Sequence, residues 1–224
     1  MIMSEKLDID KSVLSENDKT AYKISEELKE NKILAVNVMG SPGSGKTTFI
    51  EKISDFFNPE EIFVIQGDLE SDVDKKRMEK KGIDAYQINT HGGCHLNADM
   101  IKNSLENIDL KSKNFLFIEN VGNLVCPAGI RIGQHLNVVV SSTTEGSDKP
   151  KKYPVIFLNS DLVLISKYDL SDVVDFNENK YLKDIRNIKN SVKILKISKN
   201  DKKSIKECAE FINKKRRNLF NDAE

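Results

Sequence analysis

The chain contains 224 residues, of which 38% are hydrophobic, and its 35 Lys and Arg residues balance 35 Asp and Glu residues. This length suits one α/β domain with a substantial core, and the charge balance argues against nucleic-acid and anionic-membrane partners. No apolar run reaches the roughly 20 residues of a membrane helix, and the first residues lack the apolar segment of a secretory signal, so we expect a cytoplasmic protein.

The first predicted element is a helix close to the amino terminus. Residues 1–16 are polar and weakly patterned, which predicts a mobile arm, and residues 17–224 are predicted to form one domain. Ser15–Asp18 resembles a helix-capping sequence, and apolar residues recur with helical spacing until Asn31. An apolar strand over residues 33–39 then leads into a glycine-rich loop.

This loop has the pattern G-x-x-x-x-G-K-[ST] between a strand and a helix start, which is the signature of a phosphate-binding P-loop. Glycines allow successive backbone N–H groups to point at an anion, and the following helix adds the positive end of its dipole. Lys46 is expected to reach the β- and γ-phosphates as a catalytic residue, and the Thr47 hydroxyl is expected to bind Mg²⁺. The residues of this segment predicted to bind the nucleotide are Gly40, Ser41, Pro42, Gly43, Ser44, Gly45, Lys46, Thr47 and Thr48.

The rest of the chain alternates between apolar runs and amphipathic segments. Strands are predicted at 62–66, 83–88, 115–118, 136–140, 162–165 and 192–197, helices at 72–81, 96–108, 181–190 and 204–218, and a polar loop at 143–152. Continuous apolar strands are typical of a parallel sheet with both faces covered. The predicted fold is therefore a three-layer α/β P-loop NTPase with a mostly parallel sheet of about seven strands and helices on both faces.

Two acidic residues at strand ends are candidates for catalysis and for Mg²⁺ binding together with Thr47. Asp68 lies just past a strand, a suitable position for a carboxylate near Mg²⁺, although an aspartate there is often only a helix cap. Glu119 ends an apolar strand and precedes Gly122, which resembles the Walker B and switch II pattern. In that pattern the acid holds Mg²⁺ and the glycine N–H contacts the γ-phosphate. Glutamate replaces the more usual aspartate here.

The segment Ser166–Asp169 resembles the guanine-reading sequence N-K-x-D. Asp169 would accept hydrogen bonds from the N–H groups that distinguish guanine from adenine, and Lys167 would lie over the base. Ser166 replaces the usual asparagine. Ser198 and Lys199 follow the last strand and would form the final loop on the base side. These residues favour GTP over ATP.

The three cysteines give one candidate metal site and one core residue. Cys94 and His95 are adjacent in a glycine-containing loop, and Cys126 would supply a third ligand. Thiolate and imidazole ligands suit Zn²⁺ or Ni²⁺. Spacing alone leaves a second interpretation open, in which Cys126 is a buried small residue and His95 a loop residue. Cys208 lies among the apolar residues of the last helix and is expected in the core.

Four longer segments carry a resemblance to a known family. They are G-D-L-E-S-D-V-D-K-K-R at 67–77, H-G-G-C-H-L at 91–96, E-N-V-G-N-L-V-C-P at 119–127 and T-E-G-S-D-K-P at 144–150. These segments resemble HypB, a family of GTPases for nickel insertion during hydrogenase maturation. HypB belongs to the SIMIBI class of P-loop GTPases and is close to the urease nickel GTPases.

The resemblance implies a slow GTPase that delivers nickel during [NiFe]-hydrogenase maturation. It implies a homodimer favoured by GTP, with Ni²⁺ or Zn²⁺ bound at the interface by Cys94, His95 and Cys126. The implied cofactors are GTP and Mg²⁺, and the implied partners are hydrogenase maturation proteins and the hydrogenase large subunit. Loss of GTP would relax the Gly122 loop, and Cys126 lies at the far end of that loop, so hydrolysis to GDP would alter metal affinity or release.

Two other functions remain possible from the sequence. One is a metal-binding interaction module whose nucleotide only locks a dimer. The other is a small-molecule kinase that uses the P-loop, against which the guanine-reading segment argues.

Overall fold

The computed structural model describes residues 15–67 and 72–221 of the chain. The strands of this part are β1 (Leu34–Met39), β2 (Ile62–Gln66), β3 (Asp84–Gln87), β4 (Phe115–Glu119), β5 (Leu136–Ser142), β6 (Leu162–Ser166) and β7 (Lys193–Lys196). The helices are α1 (Glu16–Glu30), α2 (Lys46–Ile53), α3 (Asp72–Glu79), α4 (Ala98–Leu105), α5 (Lys149–Lys152), α6 (Pro154–Leu158), α7 (Glu178–Ile188) and α8 (Lys202–Phe220). The mobile arm was predicted over residues 1–16; residues 1–14 lie outside the described residues, whereas Ser15 caps α1 and Glu16 begins it.

These strands form one sheet in the order β3-β2-β4-β1-β5-β6-β7, and each pair of neighbours is parallel. Parallel strands need crossover connections, which the helices between them supply. The P-loop follows β1, the central strand, and β4 and β5 are its neighbours. Since ligands of such sheets bind at the carboxyl ends of the strands, the loops after these strands define the functional edge. The predicted three-layer fold is confirmed.

Alternate strand residues face opposite layers, as the period of two in a strand requires. In β4, Phe115 and Phe117 pack in the apolar cluster that contains α2 and α8, while Leu116 and Ile118 pack in the cluster with α1 and α4. Cys208 is fully buried in the first cluster, so its predicted place in the core is confirmed. No helix among the described residues combines the length and apolar character needed to cross a membrane.

The predicted polar loop over residues 143–152 is wrong in its second half. Lys149–Lys152 forms the short helix α5, and α6 follows directly. Both helices carry a proline in their first turn, at Pro150 and Pro154. Proline is favoured there because the first N–H groups of a helix have no partner within it. The charged composition of this segment concealed that signal.

Helices α7 and α8 begin earlier than predicted because each has a capping side chain ahead of its apolar residues. The Asn177 side chain accepts a hydrogen bond from the N–H of Lys180 (2.9 Å), and Asp201 accepts one from the N–H of Ser204 (3.3 Å). Such caps stabilise a helix start by about 1 kcal/mol. The start of a helix therefore precedes its first buried residue.

Candidate nucleotide and metal sites

The P-loop lies between β1 and the amino terminus of α2. Gly45 caps α2 with φ of 101°, a left-handed conformation in which a side chain would be strained. Gly122, on the loop after β4, lies so close to the P-loop that a Cβ atom there would be 2.8 Å from Cγ of Pro42. The loop predicted to contact the γ-phosphate therefore packs directly on the P-loop.

A pocket of about 530 Å³ opens above the P-loop. Its lining contains several of the predicted nucleotide-binding residues together with two that sequence reasoning missed, Arg77 and Val121. Lys46 is buried, and its ammonium group donates to the carbonyl oxygens of Ser41 (3.2 Å) and Gly40 (3.4 Å). A lysine ammonium fixed at the wall of this pocket suits the binding of a phosphate chain.

The Glu119 carboxylate is buried at the floor of this site and is held by two hydrogen bonds. Thr47 Oγ1 donates to Oε1 of Glu119 (2.7 Å), and Gln66 Nε2 donates to its Oε2 (3.3 Å). The Thr47 hydroxyl keeps its lone pairs for a cation because its proton goes to the carboxylate. A hydroxyl and a carboxylate beside a phosphate pocket are oxygen ligands of the kind Mg²⁺ prefers. Asp68, the other predicted ligand, lies outside the described residues.

The loops predicted to bind the base lie against each other at the ends of β6 and β7. The backbone N–H of Asp169 donates to Ser198 Oγ (3.1 Å), and the carboxylate of Asp169 is exposed. Lys167 lines the phosphate pocket and also a neighbouring pocket of about 130 Å³, which Ser198 and Lys199 line as well. The structure thus brings Lys167, Ser198 and Lys199 next to the P-loop, and Asp169 lies beside them through its contact with Ser198.

Tyr168 is held by two charged residues outside its own loop. Its hydroxyl donates to the carboxylate of Glu178, and the Lys196 ammonium lies 3.2 Å from the same hydroxyl and pairs with Glu178. Burial disfavours the charged form of Glu178, but the hydrogen bonds from Lys196 and Tyr168 outweigh it and lower the pKa of Glu178. These contacts fix the residue between Lys167 and Asp169.

Ser166, which replaces the asparagine usual in the guanine-reading sequence, contacts the P-loop directly. Its hydroxyl donates to the carbonyl oxygen of Ser44 (2.6 Å), and both side chains are buried. The side chain therefore ties the end of β6 to the P-loop, so that base-binding and phosphate-binding segments are held together.

We expect Ser166→Ala to weaken binding of GDP by about five- to tenfold, because it leaves the Ser44 carbonyl without this donor, a loss of about 1–1.4 kcal/mol. The measurement is GDP affinity by isothermal titration calorimetry. Ser191→Ala, at an exposed position, is the control and should leave the affinity unchanged. An unchanged GDP affinity in Ser166→Ala would show that the contact does not support the site.

The three predicted metal ligands converge on one point of the surface. One ligand atom each from Cys94, His95 and Cys126 lies within 4.8 Å of the others, and Sγ of Cys94 is 3.4 Å from Nδ1 of His95. The neighbouring Cys94 thiol, as hydrogen-bond partner and as a like charge, raises the pKa of Cys126. A bound cation would reverse this effect, because it favours both thiolates.

The two halves of this cluster come from different loops. Cys94 and His95 follow β3, and the next residue, Leu96, donates its N–H to Oδ1 of the buried Asn120 (3.1 Å). Cys126 starts a short 3₁₀ helix, Cys126–Gly129, on the loop after β4. The cluster therefore exists only when both loops are folded on the sheet.

Sequence reasoning missed several polar residues that organise these sites, namely Gln66, Arg77, Asn120 and Asn123. Asn120 and Asn123 belong to the segment at 119–127, in which the sequence assigns roles only to Glu119, Gly122 and Cys126. Gln66 could have been recognised as a site residue from the sequence, since it is the polar last residue of an otherwise apolar strand.

The fold and the edge it forms define the class of the protein. A parallel sheet with a P-loop after its central strand and a carboxylate at the end of the adjacent strand is the architecture of a P-loop NTPase. The family model for the CobW/HypB/UreG nucleotide-binding domain matches residues 34–196. The chain belongs to this family of P-loop GTPases, so the predicted class of GTP hydrolase is confirmed.

Several relatives that share 38–41% identity with this chain are HypB proteins. The chain is 41% identical over 208 residues to the hydrogenase/urease maturation factor HypB of Helicobacter hepaticus, covering 91% of this chain and 86% of the relative. It is 39% identical to the probable hydrogenase maturation factor HypB of Methanocaldococcus jannaschii, covering 93% and 95%. The crystal structure of Helicobacter pylori HypB in complex with nickel superposes with a TM-score of 0.88 at 38% identity, covering 92% and 97%. The predicted resemblance to HypB is confirmed.

Proposed function

We propose that this chain is a GTP-hydrolysing metallochaperone that binds nickel and delivers it during maturation of [NiFe]-hydrogenase. The observation that carries the proposal is the convergence of Cys94, His95 and Cys126 on one point, within 4.8 Å of one another. Two thiolates and an imidazole suit Ni²⁺ or Zn²⁺. The Helicobacter pylori relative in its nickel complex supports nickel as the cargo.

In this proposal the nucleotide binds along the edge formed by the P-loop and the base-binding loops. The backbone N–H groups of residues 40–48, other than Pro42, which has none, surround the phosphates. Lys46 neutralises charge on the β- and γ-phosphates. Asp169 reads guanine, and Lys167, Ser198 and Lys199 enclose the base. The N–H of Gly122 contacts the γ-phosphate and so distinguishes GTP from GDP.

Thr47 and Glu119 would hold Mg²⁺, with Asp68 as a further candidate ligand. Bound Mg²⁺ would neutralise charge that develops on the phosphates during hydrolysis. Gln66 orients the Glu119 carboxylate through its hydrogen bond (3.3 Å). Lys46 and Glu119 thus act as fixed charges around the phosphate chain, which is how P-loop GTPases stabilise the transition state.

Three ligands from one chain leave one position of a four-coordinate metal site open. We propose that a second copy of the chain contributes to this metal site in a homodimer favoured by GTP. Val125, Val155 and Leu158 are apolar side chains that are 51–63% exposed. They lie on elements that touch, since the Asn159 side chain donates to the carbonyl oxygen of Ala128. Exposed apolar residues beside a metal site that lacks its fourth ligand fit an interface between two copies of the chain.

The proposed partner proteins follow from nickel as the proposed cargo. Other hydrogenase maturation proteins would exchange nickel with this site, and the hydrogenase large subunit would be the final acceptor. We place this activity in the cytoplasm. All three cysteines are free thiols in the structure, which suits a reducing compartment.

The test is a titration of the full chain with Ni²⁺ in the presence of GDP and of a slowly hydrolysed GTP analogue. We expect the two nickel affinities to differ by at least about fivefold, the lower end of usual allosteric coupling. Sedimentation velocity should show more dimer with the GTP analogue. Equal affinities in both nucleotide states would contradict the coupling. Absence of phosphate release from GTP would favour the alternative, a metal-binding module whose nucleotide only locks the dimer.

A further inference from the structure

Asn123 lies between the P-loop and the metal cluster and contacts both. It is part of the loop after β4, close behind Gly122 and three residues ahead of Cys126. Its side chain is only partly buried, and its backbone N–H, its Oδ1 and its Nδ2 all make hydrogen bonds. It is hydrogen-bonded both to the P-loop backbone and to a cysteine of the cluster.

On the metal side, the Asn123 side chain determines where the Cys126 thiol lies. Its Oδ1 accepts the backbone N–H groups of Val125 (2.7 Å) and Cys126 (3.2 Å), which folds the chain into a tight turn. Its Nδ2 donates to Sγ of Cys126 (3.3 Å). One amide therefore fixes both the backbone and the sulfur of this ligand.

On the nucleotide side, the Asn123 backbone is bonded to the first residue of the P-loop. Its N–H donates to the carbonyl oxygen of Gly40 (3.0 Å) in an isolated antiparallel bridge. The Lys46 ammonium donates to the same carbonyl oxygen (3.4 Å). A phosphate chain that draws Lys46 towards itself would remove one of the two hydrogen bonds to the Gly40 carbonyl oxygen, which also accepts the Asn123 N–H.

The other half of the metal cluster has a different anchor. Asn120 accepts the N–H of Leu96, next to His95, and is itself bonded to β1 through the Val38 carbonyl (3.0 Å) and the Asn37 side chain (3.1 Å). Asn120 is 1% exposed and directly follows β4, next to the central strand β1. Cys94 and His95 are thus tied to the sheet, whereas Cys126 is tied to the P-loop.

We propose that Asn123 is the positioning residue that transmits the nucleotide state to the metal ligand Cys126. A small shift of the Gly122–Asn123 backbone, driven by the nucleotide, moves Cys126 relative to the fixed pair Cys94 and His95. The geometry of the three ligands then changes with the nucleotide. This inference rests on the proposed nickel and GTP binding and assigns a residue to its regulation.

The test compares nickel affinity in the GDP state and in the GTP-analogue state for wild type, Asn123→Ala and Asn123→Asp. The aspartate keeps the oxygen that closes the turn but loses the N–H₂ group that donates to the sulfur. Asn58→Ala is the matched control, because Asn58 caps a 3₁₀ helix through a similar turn but is remote in sequence and exposed. Thermal unfolding and GDP affinity establish that each variant is folded.

We expect the ratio of the two nickel affinities, at least about fivefold in wild type, to fall to within about twofold of one in both Asn123 variants. Asn58→Ala should keep the wild-type ratio, and all variants should keep their GDP affinity. If the two nickel affinities of the wild-type protein are equal, the proposed coupling fails. If wild type and either folded Asn123 variant share the same ratio, the assignment to Asn123 is overturned while the coupling stands.

Discussion

Lys46→Ala is expected to lower the rate of GTP hydrolysis by about 10²–10³-fold, the usual cost of removing one preorganised charge or donor around a transition state. Lys46 is 6% exposed and its ammonium is held at the P-loop by two carbonyl oxygens, so its positive charge is already in place before the nucleotide binds. Affinity for GTP should fall as well, because the γ-phosphate loses a charge-assisted hydrogen bond of about 1.5–3 kcal/mol. Single-turnover phosphate release measures the first effect.

The control for this variant is Lys23→Ala, at an exposed position of α1. It removes the same charge from the surface and should leave hydrolysis unchanged. Lys46→Ala must also be shown to remain folded, since it removes hydrogen bonds within the P-loop. A folded Lys46→Ala protein that releases phosphate at the wild-type rate would rule out this lysine as part of the catalytic site.

Cys94→Ala and Cys126→Ala should each lower nickel affinity by about 10²-fold or more and remove stoichiometric binding at micromolar metal. Each leaves two of three ligands, and losing one charged donor costs about 3 kcal/mol or more when no other group replaces it. Equilibrium dialysis with Ni²⁺ measures the loss. Retention of one tightly bound nickel per chain in either variant would contradict the ligand assignment.

Cys208→Ala is the matched control because it removes a thiol that cannot act as a ligand. Cys208 is fully buried in the core, and this burial raises its pKa to about 12, so it remains a neutral thiol near pH 7. Its loss leaves a small cavity and should lower stability by about 1 kcal/mol, with nickel binding unchanged. Reduced nickel binding in a folded Cys208→Ala protein would point to a site elsewhere in the chain.

The strands, the P-loop and the fold class could be predicted from sequence because their signals are local. Four consecutive apolar residues followed by Glu119 define β4. A glycine pattern between a strand and a helix defines the P-loop. Helix starts were predicted less well, since caps such as Asn177 precede the apolar pattern. The segment around Pro150 read as a loop because its charge masked a helix-starting proline.

The contacts that organise the sites could not be predicted, because they join residues distant in sequence. Ser166 and Ser44 are 122 residues apart, yet their hydrogen bond ties the base loop to the P-loop. Asn120 joins β4 to the segment after His95 through a hydrogen bond across 24 residues. A side chain's partner at such distances depends on strand order, which one sequence does not specify. The sequence shows which residue types are present, but their roles become clear only from the strand order of the folded sheet.

In the proposed nickel chaperone, the origin of the metal cluster in two loops also links metal binding to folding. Cys94 and Cys126 meet only because β3 and β4 are in place, so an unfolded chain presents no such set of ligands. Free nickel at a hundred times its dissociation constant would therefore add about 2.7 kcal/mol to the free energy of unfolding. A chain that has handed on its nickel loses that increment. Loaded and emptied molecules should then differ in melting temperature and in resistance to proteases, which would make the emptied protein the shorter-lived one.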